Sequence, residues 1–476
     1  MTNNIINFDE KVNNLEKDDK ELPELNNQWD QKQKEEQKSD NPKWFFNNKI
    51  DHIELAGEIL GENKMIKDKY NREGFFYDSK VGHWKTGFDG FLGNKIAVKL
   101  VNIHCWKTKD FSSVKILISN MIFSEERITA FENADPNLVH FKNGTYNLET
   151  DQMQKHSPSD YILNGHNYNL DMKNKPVLTD QWFNESFKDQ ALFMKEFIGY
   201  MFYHRYKPFN RFVILQGSGN DGKSTFLNYL RKVIGGENTS NISINDLADS
   251  NLARFNTAEM YLKELNYFAD ISDNFLSESN ILKTLTGNDY AKAEFKRQKP
   301  FSFRNYAKLI FSANELPPFR DFTNGFERRP VIVKYHFIAD FDKHFSMDQI
   351  KSEIPCFVYE CLRKFKAAIN RQKNGDFEGV DALSITPEME STVSDWLKQN
   401  DHIAEFIEEY CEIEPNAWEK NVYVIEAYNR FCNQNGYQPS AKKLNERLKK
   451  LGVEPSVQKK IEGNNYRGYK GIKIIS

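Results

Sequence analysis

Nine residues constrain this chain more than any others: GSGNDGKST, Gly217 to Thr225. They follow a short apolar run, RFVILQ, and precede KSTFLNYLRKVI. There Phe226, Leu227, Leu230, Val233 and Ile234 share one helical face until Gly235 stops the helix. The text fits GxxxxGK[ST] from Gly217 through Gly222, Lys223 and Ser224, in the order strand, loop, helix. Glycines let consecutive backbone N–H groups converge on phosphate oxygens, and the helix N-terminus adds its positive dipole. A glycine-rich turn with an accidental lysine is the bland reading, and the flanking strand and helix weigh against it. Gly217, Ser218, Gly219, Asn220, Asp221, Gly222, Lys223, Ser224 and Thr225 are therefore candidate nucleotide-binding residues. Lys223 is expected to reach the β and γ phosphates of ATP, and the Ser224 hydroxyl to ligate Mg²⁺.

Downstream segments KELNYFAD, RNYAKLIFSAN and PVIVKYHF read as further buried strands separated by helices, which makes an α/β sheet. A carboxylate for Mg²⁺ belongs at the end of a neighbouring strand, and YFADISD offers Asp270 there. Asp273 either orients the attacking water or caps the helix that begins near SESN. Asn314 closes the next strand, where an amide can orient water against the γ-phosphate; a polar turn residue before ELPP is the alternative. Arg328 and Arg329 in GFERR stand just before the last strand. Paired arginines are often surface charges, but in ring ATPases one arginine reaches the neighbouring subunit's γ-phosphate.

The remaining text sets bounds. A length of 476 residues allows about three domains. A net charge of −3 excludes a uniformly basic nucleic-acid binder, so any such contact must come from local patches. The five cysteines are scattered without a CxxC pair, which argues against a disulfide framework or a zinc site. No apolar run approaches membrane-span length and no signal peptide is visible, so a soluble cytoplasmic protein without membrane contact is expected. Residues 1–45 read as a disordered acidic tail, 46–190 as a mixed α/β domain and 191–345 as the nucleotide-binding core. A helical connector (346–395) leads to the last domain (396–476), whose helices and two final strands suit a winged helix. Within the second segment, LVHFKNGTYNLET reads as a hairpin turning at Asn143-Gly144, and GFDGFLGNK as a structural turn rather than a ligand loop.

Two basic stretches are candidates for nucleic acid. In AKAEFKRQKPFSFR, Lys292, Lys296, Arg297, Lys299 and Arg304 are interleaved with Phe295, Phe301 and Phe303. In the last domain Lys442, Lys443, Arg447, Lys449 and Lys450 cluster on one helix, with Leu444, Leu448 and Leu451 expected toward the core. Lys459, Lys460, Arg467, Lys470 and Lys473 lie in the wing, opposed by Glu446, Glu454 and Glu462. Solvated charged faces are the alternative for both.

With these motifs assembled, the chain resembles the superfamily 3 helicases of the AAA+ class, specifically phage and plasmid primase-helicases related to the poxvirus primase-helicase. The matching text is GSGNDGKST, the strand ending at Asp270, LKTLTGNDYAKAEFKRQKPFSF, KLIFSANELPP and FTNGFERRPVIV, with LVHFKNGTYNLETDQMQKHSP ahead of it. The resemblance implies an AAA+ core with an N-terminal mixed α/β domain and a C-terminal winged helix. It also implies a hexameric ring that translocates on single-stranded DNA, usually 3′ to 5′, with the basic hairpin in the pore. Its partners would be single-stranded and forked DNA, further copies of itself, a separate primase and host replication proteins. The family's primase domain has no counterpart before Trp44, so primer synthesis by this chain is not expected. The family's frequent Gly-Gly-Asp is Gly287-Asn288-Asp289 here. An ATP-gated origin-binding protein or helicase loader that does not unwind is the alternative function, and a small-molecule kinase shares only the phosphate loop.

Overall fold

The structure is a computed structural model and describes residues 42–68, 74–124, 130–248, 252–269, 280–297, 299–317, 324–399, 402–437 and 439–475. The segment read as an acidic tail lies outside them as far as residue 41, and so do Asp270 and Asp273. By its internal contacts the chain divides into two compact units, residues 1–77 with 85–128 and residues 78–84 with 129–476.

In the first unit, Asp51 caps helix α1 (His52–Glu62) by accepting the N–H groups of Ile53 and Glu54. Strand β1 (Met65–Asp68) pairs antiparallel with β2 (Gly74–Asp78). Helices α2 (Phe88–Asn102) and α3 (Thr108–Met121) follow, and β3 (Phe123–Ser124) lies parallel to β1. GFDGFLGNK, expected as a turn, belongs mostly to α2: Gly87 takes the left-handed N-cap position (φ 81) and Gly90 and Gly93 lie inside the helix. The apolar period decides this. Phe88, Leu92, Ile96 and Leu100 are buried at helical spacing against Leu55, Ile59, Val114 and Ile118, which outweighs the poor helix propensity of glycine.

The second unit opens with an antiparallel meander of β4 (Leu138–Phe141), β5 (Gly144–Asn147) and β6 (Gln152–Gln154). Its first turn is Lys142-Asn143, one residue earlier than expected, and Gly144 opens the next strand facing Phe141. A Cβ on Gly144 would stand 2.7 Å from the Gln154 carbonyl of β6, so close packing requires the glycine. Asn143 also holds Leu170, accepting its N–H and donating to its carbonyl.

After helices α4 (Val177–Phe187) and α5 (Ala191–Met201) comes a five-stranded parallel sheet. Its strands are β7 (Phe212–Gln216), β8 (Thr239–Ser240), β9 (Leu265–Phe268), β12 (Lys308–Ala313) and β13 (Pro330–Lys334), in the spatial order β8-β9-β12-β7-β13. Helix α6 (Lys223–Ile234) follows β7, the short α7 (Asn280–Leu285) precedes a hairpin of β10 (Tyr290–Ala293) and β11 (Phe301–Arg304), and α8 (Ile354–Asn374) follows the sheet. Alternation along the strands builds two cores. Val213, Leu215, Ile310, Val331 and Val333 face α6, α4 and α8, whereas Phe212, Ile214, Leu309, Phe311 and Ile332 face Leu282, Phe326 and Trp396. Val139, Phe141, Tyr146, Trp182 and Phe183 belong to the first of these cores. Residues 130–190, read from sequence with the preceding domain, therefore pack as part of the sheet's own unit.

Trp396 lies near the end of helix α9 (Pro387–Gln399). Beyond it, α10 (His402–Tyr410), β14 (Cys411–Lys420), α11 (Asn421–Gln434), α12 (Ala441–Lys450), β15 (Glu454–Ile461) and β16 (Asn464–Ile474) enclose a core of their own around Phe406, Tyr428, Leu444 and Ile472. The antiparallel order is β14-β16-β15. Strand β14 was not legible in EIEPNAWEK, where Pro415 interrupts the ladder and the pairing shifts between Ile413 and Trp418. Leu451, expected in the core, is exposed because α12 ends at Lys450 and Leu451 is only its C-cap. Among the described residues no helix is long and apolar enough to cross a membrane.

At the start of β9 a buried Glu264 joins two segments distant in sequence. Its carboxylate accepts from His166 Nε2 at 3.0 Å and from His204 Nε2 at 2.7 Å. Burial pushes the Glu264 carboxyl up, but His166 and His204 outweigh it and hold it at about 2; burial pushes His166 down, and Glu264 reverses this to a net rise. For Glu264→Gln we expect a loss of about 3–5 kcal/mol in urea unfolding at pH 6, because a charged His166 is left buried without its partner. The raised value of His166 sets the pH dependence. Its contribution is fully present below the unfolded histidine value and declines as pH rises through the folded one, so the mutational loss should shrink between pH 6 and pH 9.

Candidate nucleotide-binding site

The loop from Gly217 to Gly222 leaves the C-terminal end of β7, flanked in the sheet by β12 and β13. Ligands bind at such strand ends in open parallel sheets. Gly217 is required by close approach: a Cβ there would overlap the Asp221 carboxylate and stand 3.0 Å from the Tyr335 carbonyl. Gly222 is required by conformation, with φ of 101 at the N-cap of α6. That helix has no side-chain cap on the N-cap residue, so its first-turn amides and dipole face the loop.

Lys223 is the first residue of α6 and is buried. Its Nζ donates to the Ser218 carbonyl at 2.9 Å, to Asp221 Oδ2 at 2.7 Å and to Asn314 Oδ1 at 3.2 Å. Asn314 comes immediately after β12, beside β7, so two neighbouring strand ends deliver Lys223 and Asn314 to one point. Ser224 and Thr225 are exposed on the first turn of α6. Strand β9 ends at Phe268, and the expected carboxylates Asp270 and Asp273 follow it outside the described residues.

Sequence reasoning did not single out Tyr335. It follows the C-terminal end of β13, where its N–H donates to the Gln216 carbonyl at 2.8 Å. Its ring passes within 3.5 Å of a Cβ built on Gly222, and Ser186 Oγ of α4 donates to its hydroxyl at 3.4 Å. An apolar-looking tyrosine after a strand carries no motif, so only tertiary packing identifies it as the floor of the loop.

Arg328 and Arg329 do not join this group. Phe212 pairs with Pro330 and Gln216 with Lys334, so the arginines precede β13 at the end of the sheet away from the loop. Counting residues from Lys334 back to Arg328 gives a separation of roughly 20 Å along the strand direction. The two side chains also differ. Arg328 is exposed, whereas Arg329 is buried, with its guanidinium donating to the Lys283 carbonyl at 3.4 Å.

In the basic hairpin Ala291, Ala293 and Phe303 are buried while Lys292, Arg304 and the tip residues Lys296, Arg297 and Lys299 are exposed. The aromatics mostly turn inward: Phe301 and Phe303 pack edge-on against Tyr261, and Phe295 stacks on Phe301. Phe303 is buried, Phe301 half-buried and Phe295 exposed, while Tyr290 at the base of β10 is exposed beneath the Arg304 guanidinium. On α12, Lys442, Lys443, Lys449 and Lys450 are exposed and Arg447 is half-buried. In the strands Lys473 contacts Glu412 and Glu414 of β14 at 2.8 and 3.2 Å, and Lys470 lies 3.7 Å from Glu454. The Glu412 and Glu414 partners escaped the sequence reading because they lie far from Lys473 in the chain. Lys459 and Lys420 rest over the rings of Trp418 and Tyr466.

Three family descriptions match the chain in order: "D5 N terminal like" over residues 63–188, "Family of unknown function (DUF5906)" over 215–329, and "Poxvirus D5 protein-like" over 398–474. No curated protein matches. Among solved structures, "The apo structure of NrS-1 C terminal region (305-718)" is 15% identical with a TM-score of 0.46, covering 88% of this chain and 98% of that one. A second apo form of the NrS-1 C-terminal region is 14% identical with the same TM-score and coverage. A JCV helicase with a bound small molecule is 12% identical, covers 48% of this chain and 60% of that one, and has a TM-score of 0.28.

The two arginines generate a stability prediction. Arg329→Ala removes a buried guanidinium and should cost about 2–4 kcal/mol in chemical denaturation, whereas Arg328→Ala should stay within about 0.5 kcal/mol of the parent.

Proposed function

We propose, from the premise that the chain belongs to the phage and viral primase-helicase family of the poxvirus D5 type, that it is a replicative DNA helicase driven by hydrolysis of ATP. The observation that carries this reading is the meeting of Lys223 and Asn314 at the ends of adjacent parallel strands, at the N-terminus of a helix whose N-cap residue is a glycine. Lys223 binds the β and γ phosphates, the first-turn N–H groups of α6 donate to their oxygens, and the Asn314 amide orients the attacking water. Ser224 and Asp270 are the residues that would hold magnesium, which would supply charge neutralisation for the phosphates.

Arg328 acts on the γ-phosphate of a second copy. Its distance from its own loop and its exposure support that role over a role in its own site, and they favour Arg328 over the buried Arg329. Hydrolysis then requires assembly, in keeping with the AAA+ class and a hexameric ring. Lys292, Lys296, Arg297 and Lys299 track the phosphates of single-stranded DNA in the pore, with translocation from 3′ to 5′. The C-terminal unit is a winged helix in which Lys442, Lys443 and Arg447 of α12 face duplex DNA and help load the ring. Because Lys470 and Lys473 are already matched by glutamates, α12 and the hairpin tip carry the salt-dependent part of binding.

The test uses fluorescent forks with 3′ or 5′ single-stranded tails. Strand displacement should require ATP and a 3′ tail, and Lys223→Ala should lower hydrolysis at least 100-fold and abolish displacement. DNA-stimulated hydrolysis without displacement of either fork would instead indicate an ATP-gated loader.

A further inference from the structure

The ammonium of Lys223 already has an acceptor for each of its three protons: the Ser218 carbonyl, Asp221 Oδ2 and Asn314 Oδ1. Two of these are neutral. The third is the carboxylate of Asp221, the residue immediately before Gly222, and it gives the shortest of the three contacts at 2.7 Å. Both partners of this ion pair are more than nine-tenths buried, with side-chain exposures of 7% for Lys223 and 2% for Asp221. The other carboxylate oxygen accepts the backbone N–H of Lys223 at 3.2 Å. Asp221 therefore offers one anionic group to the lysine cation and to an amide at the start of α6, the two kinds of donor that a phosphate would use.

We infer that Asp221 is an internal competitor for the phosphate site: its carboxylate occupies Lys223 in the resting loop and must yield it when a polyphosphate enters. This inference rests on the reading of the loop as a nucleotide site. Two anions cannot share one buried cation at full strength, because their mutual repulsion is poorly screened away from water. The packing allows the carboxylate little retreat in one direction, since Gly217 lies directly against it and the Tyr335 carbonyl is beyond. Displacement must carry Asp221 away from Lys223 with some change of the loop, and part of the phosphate binding energy is consumed in that change. Asp221 thus sets affinity without touching the reacting atoms, and acts as a positioning residue through Lys223. The loop stays satisfied and ordered between turnovers, and weakly charged anions do not capture the lysine.

Asparagine at this position keeps one carbonyl oxygen to accept the Lys223 backbone N–H, gives up the acceptor for the ammonium and removes the competing charge. Binding of ADP and of inorganic tripolyphosphate, each in EDTA and in Mg²⁺, is measured by calorimetry for the full chain, Asp221→Asn, Asp221→Ala and Lys223→Ala. Metal-free tripolyphosphate is expected to bind Asp221→Asn about tenfold more tightly than the parent, with a smaller gain for Asp221→Ala, which also loses the acceptor for the amide. The unliganded melting temperature of Asp221→Asn should fall while its ligand-induced rise increases, a pairing that a merely structural role would not produce. Equal or weaker metal-free binding by folded Asp221→Asn overturns the inference even where the parent binds nucleotide and Lys223→Ala does not. Absence of binding by the parent and by Asp221→Asn overturns the nucleotide reading itself, and the inference falls with it. Binding that appears only on removing the Asp221 charge supports the competitor in its strongest form.

Discussion

The parallel register of β7 between β12 and β13 is the constraint on which the rest of the site depends. Val213 faces Ile310 on one side and Val331 on the other, and this alignment brings the C-terminal ends of three strands level. The loop after β7, Asn314 after β12 and Tyr335 after β13 consequently meet at one edge. The same register sends Arg328 and Arg329 to the opposite edge. A sheet fixed in this way by apolar side chains on both faces tolerates little slippage, because a shift by one residue would exchange the two cores.

The opposite edge carries a second group of buried charges. Glu264 holds His166 and His204 at the start of β9, and Lys308, at the start of β12, is pressed against the rings of Tyr200 and Tyr206 while donating to the carbonyls of Tyr203 and Tyr306. Burial pushes the Lys308 ammonium well down, with only Glu264 opposing. These groups tie the meander and α5 to the sheet. The glycine-rich loop at one edge is thus matched by polar anchoring at the other.

The glycine-rich loop between strand and helix, four of the five strands and most amphipathic helices were legible because each is a local pattern: glycines at fixed offsets, apolar runs, or a helical period. Asn314 could be placed at a strand end for the same reason. What escaped was non-local. Tyr335 enters the site only through the pairing of β13 with β7, and Glu412 and Glu414 meet Lys473 only through the pairing of β14 with β16. Strand β14 was hidden by Pro415, and α2 by its glycines, although burial of Phe88, Leu92 and Ile96 overrides their weak propensity. The two arginines were indistinguishable as text; burial separates them.

The proposed ring motor requires that the loop of one copy be completed by Arg328 of another. It is tested most directly by mixing Lys223→Ala and Arg328→Ala proteins, each expected to be inactive alone, and measuring DNA-stimulated ATP hydrolysis. In a mixed ring the intact loop of an Arg328→Ala copy meets the intact arginine of a Lys223→Ala copy, so a substantial fraction of parental activity should return. If every mixing ratio yields only the sum of the two separate activities although the copies co-assemble, the arginine does not act between copies.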